Sequence, residues 1–294
     1  MVSLFSKDAV MIWIPILLLI LFRVAIKHHM RKSRDAQMII WNDHVTPTTG
    51  PTELPRISGI WEVVGPVSNH NKMPRRMTIY RLPGTETPEL LIHSCIACNE
   101  ETMAKIQALG KPKILVIPNR FHTLDAGVWI QRFPDMAIVC PESAKLKLAR
   151  KNIEPTHPME EHLASYGISC LTVGVTNDRP MEYILSLPVF GTDDNVLVCS
   201  DTWFNIVEPF PGFGYKVMSF LGSIGPFKIT KMGTLFIKDW ERYADDLESI
   251  KTTENVVGIL VGHGAAIAGY ADSNKALLSV LSFARSKAEK KKDE

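Results

Sequence analysis

Three short apolar runs in this sequence are each followed by a polar side chain that can bind a metal. The runs cover residues 114–118, 196–199 and 256–261. Their length and their Val, Ile and Leu content are typical of strands buried on both faces. His122, Asp201 and His263 follow them. Because such strands end at one edge of a sheet, where α/β proteins build their sites, we expect these three side chains to converge.

The same periodicity predicts the other elements. Strands are expected at 60–67, 77–82, 89–93, 113–117, 136–140, 170–175, 182–188, 196–199 and 256–261. Helices are expected at 99–110, 142–151, 239–250 and 273–287, with a short one around Trp129. Asn99 is a suitable N-cap and Gly110 a suitable end for the first helix. The strands cluster first and then alternate with helices, which predicts an α/β fold, an αββα sandwich of two mixed sheets.

Residues 204–225 are rich in aromatics and Gly, and this composition predicts an irregular lid or a short amphipathic helix. An apolar stripe continues from Met218 to Phe227. The stripe is compatible with a core or lid face and also with contact at a lipid interface. Gly212-Phe213-Gly214 has no preceding strand and the wrong spacing for a dinucleotide fingerprint, so no cofactor-binding residue is predicted there.

The N-terminal part of the chain predicts one transmembrane helix at residues 9–26. Ala9 to Phe22 carries no charge, and Val24 to Ile26 extend the apolar run beyond Arg23. Spanning a bilayer takes roughly 20 residues, with a lower limit near 17. A cleaved signal peptide is the alternative. It would need basic residues before the run and small residues after it, but Lys7 is offset by Asp8 and no A-x-A-like site follows, so an uncleaved anchor is favoured.

The basic segment 27–34 orients this anchor. By the positive-inside rule, residues 1–8 are a short non-cytosolic N-terminus and the large C-terminal domain is cytosolic. The lipid bilayer is thus the predicted partner of residues 9–26, and residues 27–34 can also contact anionic headgroups. Near the other end, Lys291-Lys292 resembles a dilysine retrieval signal of the endoplasmic reticulum. The alternative for these lysines is a solvated, charged helix end.

The domain limits follow from composition. Residues 27–55 read as a basic and then Thr/Pro-rich linker, in which little can pack. Residues 56–285 form the globular domain, and residues 286–294 are a charged tail. The formal net charge of +2 gives no bias toward nucleic acid, and the sequence predicts no particular protein partner.

The chain contains five cysteines, an odd number that does not suggest a disulfide framework. We expect reduced, structural thiols. Cys95-Ile96-Ala97-Cys98 is a lone C-x-x-C, so a redox pair and a metal site stay open as alternatives.

The order of several motifs resembles the metallo-β-lactamase fold, in a divergent branch of that superfamily. They are Ile92-His93-Ser94, Pro118-Asn119, His122, Trp129, Phe133-Pro134-Asp135, Leu197-Val198-Cys199-Ser200-Asp201, Trp240 and Gly262-His263-Gly264. The resemblance covers about 56–285. It implies a metal-dependent hydrolase of an ester, lactone, thioester or phosphoester.

Hydrolases of that family carry His-x-His-x-Asp-His after one strand and further ligands downstream, which hold one or two zinc ions. This chain departs from the pattern. Its counterpart loop offers only His122 and Asp125, and no His lies near Val175. The resemblance therefore implies a reduced site in which His122, Asp201 and His263 hold one divalent ion, with zinc as the expected metal. Asp125 and Asp201 are the predicted catalytic residues, with Asp125 orienting water or a ligand.

Each of these residues also has a structural alternative. His122 can cap the helix that follows it, Asp201 can cap a helix starting near Thr202, and His263 can be a loop residue between turn glycines. In that case the domain is a catalytically inactive binding or scaffold module of the same fold on the cytosolic membrane face.

Overall fold

The structure is a computed structural model that describes residues 41–68, 72–84, 86–174 and 180–292. The segments assigned above to a non-cytosolic N-terminus, a membrane span and a basic headgroup contact, residues 1–8, 9–26 and 27–34, lie outside the described residues. Within the described ranges, no helix is both long and apolar enough to cross a bilayer.

The described chain contains short strands interspersed with helices. The strands are β1 (Thr49–Glu53), β2 (Ile60–Pro66), β3 (Pro74–Arg81), β4 (Glu89–His93), β5 (Lys111–Val116), β6 (Ala137–Val139), β7 (Ser169–Leu171), β8 (Ile184–Pro188), β9 (Asp194–Val198), β10 (Phe204–Ile206), β11 (Gly225–Lys228), β12 (Asn255–Leu260) and β13 (Ile267–Ala268). The helices are α1 (Trp41–His44), α2 (Glu100–Leu109), α3 (Ala126–Arg132), α4 (Glu142–Ala149), α5 (Met159–Ala164), α6 (Phe213–Phe220), α7 (Lys231–Thr234), α8 (Trp240–Thr253) and α9 (Tyr270–Lys292).

Most of the strands belong to two mixed sheets. The first sheet follows chain order from β1 to β6. It is antiparallel from β1 to β4 and parallel from β4 to β6. The second sheet has the order β13-β12-β9-β8-β7, with β12 and β9 parallel. Strands β10 and β11 form a separate antiparallel pair. Each main sheet thus combines both pairing modes, as the sequence predicted.

Three apolar clusters define the layers. One cluster lies between the two sheets and joins side chains of the first, such as Ile60 and Val116, to side chains of the second, such as Leu185 and Val198. A second cluster covers the outer face of the first sheet with α2, α3 and α4. The third covers the outer face of the second sheet with α8 and α9. The αββα sandwich of two mixed sheets is therefore confirmed for the described residues.

Helix starts follow the local capping chemistry. The Asn99 side chain accepts a hydrogen bond from the backbone N–H of Thr102 at 2.9 Å, and Gly110 follows the last turn, so α2 begins and ends as the sequence predicted. In α8, the Asp239 side chain accepts from the N–H of Arg242, and a buried face starting at Tyr243 packs on the second sheet. Both helices lie in the outer layers because only one face of each is apolar.

The structure differs from the predicted linker at residues 41–55. Strand β1 pairs with β2 there, and Leu54 is buried between the sheets. The Trp41 indole donates to the carbonyl of Cys98, and its ring packs on the first sheet's outer core. These contacts depend on residues distant in sequence, so the Pro- and Thr-rich composition did not reveal them.

Two further segments differ in part from expectation. Residues 204–225 contain the expected short helix, α6, but they also contain strand β10, which pairs with β11. The predicted charged tail, 286–294, is helical through Lys292 because α9 continues along α8. In this tail Ala288 is buried and the Lys291 ammonium donates to the carbonyl of Lys238.

Candidate metal centre

His122, Asp201 and His263 form one cluster at the ends of three strands. They follow β5, β9 and β12, and one potential ligand atom from each lies within 4.8 Å of the others. The Nε2 atoms of His122 and His263 lie 3.3 Å and 3.4 Å from the same oxygen, Asp201 Oδ1. Because β9 and β12 are parallel neighbours, their ends lie side by side. The structure therefore brings together the three residues that the sequence proposed as ligands.

Each histidine has a second partner on its other ring nitrogen. His263 Nδ1 donates to the carbonyl oxygen of Pro74 at 2.8 Å, which leaves the lone pair of the neutral ring on Nε2. His122 Nδ1 lies 2.6 Å from the hydroxyl of Ser94. Ser94 adopts the left-handed backbone region with φ 57°, a conformation that costs energy for a non-glycine residue. Outer partners of this kind fix the ring orientation of metal-binding histidines.

Asn119 connects the His122 loop to Asp201. Its side-chain oxygen accepts from the backbone N–H groups of Phe121 and His122, and its side-chain nitrogen donates to Asp201 Oδ2 at 2.9 Å. The residue is fully buried. One side chain therefore fixes the loop after β5 relative to the loop after β9.

The pKa of Asp201 is set by opposing effects. Burial raises it, but the charges and hydrogen bonds of His122 and His263 outweigh burial and hold it well below the ordinary value of an aspartate. The carboxylate is therefore ionised at neutral pH. This suits a metal ligand better than a general base, because a base works best when its pKa lies near the working pH.

Glu182 holds the Asp201 loop in place through hydrogen bonds to its carboxylate. Its buried carboxylate accepts hydrogen bonds from the backbone N–H groups of Ser200, Asp201 and Thr202, and from the Thr202 hydroxyl. Burial and the nearby charge of Asp201 raise the pKa of Glu182. This role was not predicted from the sequence, in which a glutamate at the start of a predicted apolar strand was the only signal.

The loops of the cluster approach one another closely because two residues are glycine. A Cβ on Gly262 would lie 2.8 Å from Ser200 Cα and 3.0 Å from His122 Cε1. A Cβ on Gly264 would lie 2.0 Å from the carbonyl oxygen of Asn205, and its φ is +110°. The Arg76 guanidinium donates to the carbonyl of Gly264, which ties this loop to the first sheet. Packing therefore requires both glycines that flank His263, and the positive φ of Gly264 also favours glycine there.

The structure does not bring Asp125 into the cluster. Its carboxylate is buried and accepts from Arg75 Nη2 at 2.6 Å and from the backbone N–H of Ala97 at 2.9 Å. His44 Nδ1 lies 3.0 Å from its other oxygen. Asp125 thus joins α1 and β3 to the loop after β4. Its predicted catalytic role stays a prediction, and His44 and Arg75 are partners that the sequence did not indicate.

The helix-capping alternatives do not describe His122 and Asp201. Residue 125, not His122, occupies the N-cap position of α3. Strand β10, not a helix, follows Asp201.

His93, adjacent to Ser94, is buried with an Nε2 atom that has no partner among the described residues. Burial, together with the charge of His122, lowers the pKa of His93 to about 3, so its ring is neutral at physiological pH.

Cys95 and Cys98 are buried free thiols. Burial raises the pKa of both, so neither is a ready nucleophile. Within the described ranges, the His122 cluster is the one group of three or more ligating side chains close enough to hold a metal. The described residues therefore offer the C-x-x-C pair no additional ligands.

The cluster lies on the wall of a cavity of about 400 Å³. Ser94, Arg75, Ser223 and Thr230 are the other polar residues of its wall, which is otherwise mostly apolar. A second space of about 270 Å³ is also lined by Asp201, together with Glu182 and Tyr243. The apolar character of the larger cavity was not evident from the sequence, because its residues come from separate elements.

No protein-family model and no curated protein sequence matches the chain. Several solved structures are similar in fold. The metallo-β-lactamase FIM-1 from Pseudomonas aeruginosa, in its mono-zinc form, is 11% identical with a TM-score of 0.49, covering 83% of this chain and 98% of that one. The metallo-β-lactamase DIM-1 is 13% identical with a TM-score of 0.48, covering 82% and 98%. Because these TM-scores lie below 0.5, the αββα assignment does not depend on these similarities. It depends on the sheets and apolar clusters of this chain itself.

Proposed function

We propose that the domain is a metal-dependent hydrolase in which His122, Asp201 and His263 hold one divalent ion. The convergence of these three side chains on the wall of a cavity supports the proposal most directly. The donor set fits zinc, since two imidazole nitrogens and one carboxylate oxygen are common ligands in catalytic zinc sites. The hydrogen bond from His263 Nδ1 to Pro74 adds to the fit by leaving Nε2 free to coordinate.

A divalent ion at such a site supplies Lewis acidity, which polarises a carbonyl or phosphoryl oxygen and makes water a nucleophile near neutral pH. The residues of the chain supply the positioning. Ser94 and Pro74 orient the two imidazoles, and Asn119 holds Asp201. The wall around the cluster is mostly apolar, and electrostatic interactions are stronger beside such a wall than in bulk water.

The test is metal content by elemental analysis of the chain after mild purification, followed by zinc titration. We expect about one ion per chain, as in a three-ligand catalytic site, and its loss together with any ester hydrolysis in His263→Ala. His157→Ala is the matched control, because His157 is exposed and lies outside the cluster. Unchanged metal content in His263→Ala would contradict the proposal.

One observation favours a second candidate function, that of a catalytically inactive binding or scaffold module. Both histidines already contact Asp201 directly, so the cluster can act as a set of polar contacts that links three loops. In that case the wild-type chain carries no metal, and its unfolding midpoint does not change when zinc is added.

We also propose that residues 9–26 anchor the domain to the cytosolic face of a membrane. The proposal follows from the uncharged run and the basic segment behind it. Retrieval to the endoplasmic reticulum through Lys291-Lys292 stays a prediction. In the structure Lys291 lies in α9 and donates to the carbonyl of Lys238, a contact that retrieval would have to break.

A further inference from the structure

The cavity beside the metal cluster has the character of an acyl-chain site. Its apolar lining residues are Val67, Met73, Phe121, Leu124, Met181, Phe204, Met218, Leu221 and Phe236. Three of them are methionines, whose unbranched, flexible side chains adapt to ligands of irregular shape. A volume of about 400 Å³ lies within the range of cavities that bind small organic molecules.

The charges around the cavity disfavour polyanionic ligands. Among the described lining residues, Arg75 is the one Lys or Arg side chain. Its guanidinium is already held by Asp125 at 2.6 Å and by the carbonyl of Pro66 at 2.9 Å. A nucleotide or sugar phosphate would therefore find no free cation among the described lining residues. A neutral carboxylic ester needs none.

The mouth of the cavity is apolar and open to solvent. Phe121, Phe236 and Leu124 line the cavity, yet they are 59%, 49% and 45% exposed. Phe220 and Leu235 precede the lining residues Leu221 and Phe236 in the chain, and they are 82% and 76% exposed. Large apolar side chains gathered in this way mark a site for an apolar partner. A chain longer than the cavity can continue over this rim.

We propose that the substrate class is neutral carboxylic esters of single long acyl chains, with the ester group at His122, Asp201 and His263 and the chain in the 400 Å³ cavity. This inference rests on the proposed hydrolase function and deepens it. In the reaction, the oxygen of water bonds to the acyl carbon and the acyl carbon–oxygen bond breaks. A proton of that water passes to the departing alcohol oxygen. The products are a carboxylic acid and an alcohol, and nothing is oxidised or reduced.

The first experiment measures kcat/KM of the zinc-loaded full chain on 4-nitrophenyl esters from acetate to dodecanoate. All concentrations stay below the critical micelle concentration. We expect a rise of about fourfold per methylene until the cavity is filled, the factor that corresponds to burial of one CH₂. A flat or falling series overturns the proposal. A rise that occurs only above the micelle threshold also overturns it, because the chain would then be held by an aggregate and not by the cavity.

The second experiment separates the acyl-chain site from hydrolysis. A fluorescent fatty acid, 11-(dansylamino)undecanoic acid, is titrated into the metal-free full chain and into two variants. Leu124→Asp puts a charge into the cavity wall, and Leu146→Asp puts the same charge at a side chain that is 69% exposed and outside the cavity. We expect at least tenfold weaker binding in Leu124→Asp and unchanged binding in Leu146→Asp.

Equal binding by the two variants overturns the acyl-chain site. Fatty-acid binding at the N-terminal segment would give this result, because both variants share that segment. Selective loss in Leu124→Asp without hydrolysis of any ester leaves the acyl-chain site supported and contradicts the hydrolase function. Hydrolysis that does not depend on chain length supports the function and contradicts the substrate class. The two proposals therefore fail in different ways.

Discussion

At the residue scale, Asp125 is a predicted catalytic carboxylate whose oxygens both contact other residues of the fold. Arg75, His44 and the backbone N–H of Ala97 take up its two oxygens. Burial raises the pKa of Asp125, but these partners outweigh burial and lower the pKa below its ordinary value. Hydrogen bonds from several donors stabilise a buried carboxylate in its ionised form. Removing the charge therefore leaves buried donors without a matching acceptor.

We predict that Asp125→Asn destabilises the domain by about 3–5 kcal/mol at pH 7, the usual cost of breaking a buried ion pair. Because the folded pKa lies below the unfolded one, the stabilisation is full above about pH 4 and is lost as the pH falls through the folded pKa. The difference from wild type should therefore shrink in acid. Urea unfolding of both proteins from pH 7 to pH 3 measures this difference. Lost hydrolysis with unchanged stability would instead support the catalytic role predicted from the sequence.

Sequence analysis identified His122, Asp201 and His263 because each follows an apolar run by a few residues. It did not identify Ser94, Asn119 or Glu182 as their supports. Glu182, for example, reaches the Asp201 loop from the segment just before strand β8. Hydrogen bonds between residues tens of positions apart leave no periodic trace in the chain, so only the folded structure shows them.

At the element scale, the site depends on how closely three strand-end loops approach each other. The loops after β9 and β12 are joined by a hydrogen bond from the backbone N–H of Gly262 to the carbonyl of Ser200 at 3.1 Å. The missing side chain of Gly262 is what admits His122 beside them. Rigid strands thus set the positions of the loops, and a glycine sets their separation.

We predict that Gly262→Ala weakens zinc binding by about 10–100-fold, the usual effect of disturbing the support of a metal ligand. Overpacking should also cost about 1–3 kcal/mol of stability. Gly258→Ala is the matched control, because its Cβ would meet Ile57 and Val196 side chains at 3.1 Å and 3.2 Å, away from the cluster. Zinc titration and unfolding of both variants measure the effects. Equal losses of zinc affinity in the two variants would argue against the close-approach explanation.

The element boundaries show a similar division. Strong periodicity predicted β4, β5, β12 and the capped helix α2 well. Strand β1 was missed, since Pro and Thr obscure its pattern, and its pairing with β2 supplies its stability. The helical extension of α9 was missed because its lysines and glutamates look solvated. Its support comes from the burial of Ala288 and from the hydrogen bond of the Lys291 ammonium to the carbonyl of Lys238.

At the scale of the whole molecule, the residues from Trp41 onward form one compact unit. The proposed anchor at residues 9–26 therefore precedes this unit in the chain. Its assignment depends on length and apolar composition alone. A membrane test of the full chain is the direct way to examine it.

We predict that the full chain stays with the membrane after extraction with alkaline carbonate and that a chain starting at Trp41 is released. Leu18→Arg combined with Leu19→Arg should weaken retention, since each Arg at the centre of a span costs about 2.5–3.5 kcal/mol. Leu18→Ile combined with Leu19→Ile is the neutral control. Release of the wild-type chain into the carbonate supernatant would show that residues 9–26 do not form a membrane anchor.

The sequence by itself determined the α/β class, the two-sheet sandwich and three side chains of the candidate metal centre. These follow from short-range periodicity and from the rule that sites form at strand ends, and both can be applied to the amino-acid sequence without a structure. Only the tertiary structure decided that Asp125 lies in a buried ion pair and that residues 41–55 belong to the domain. It also decided that the cluster faces an apolar cavity. These features depend on which distant segments meet, and that outcome is fixed by packing of the whole core rather than by local pattern.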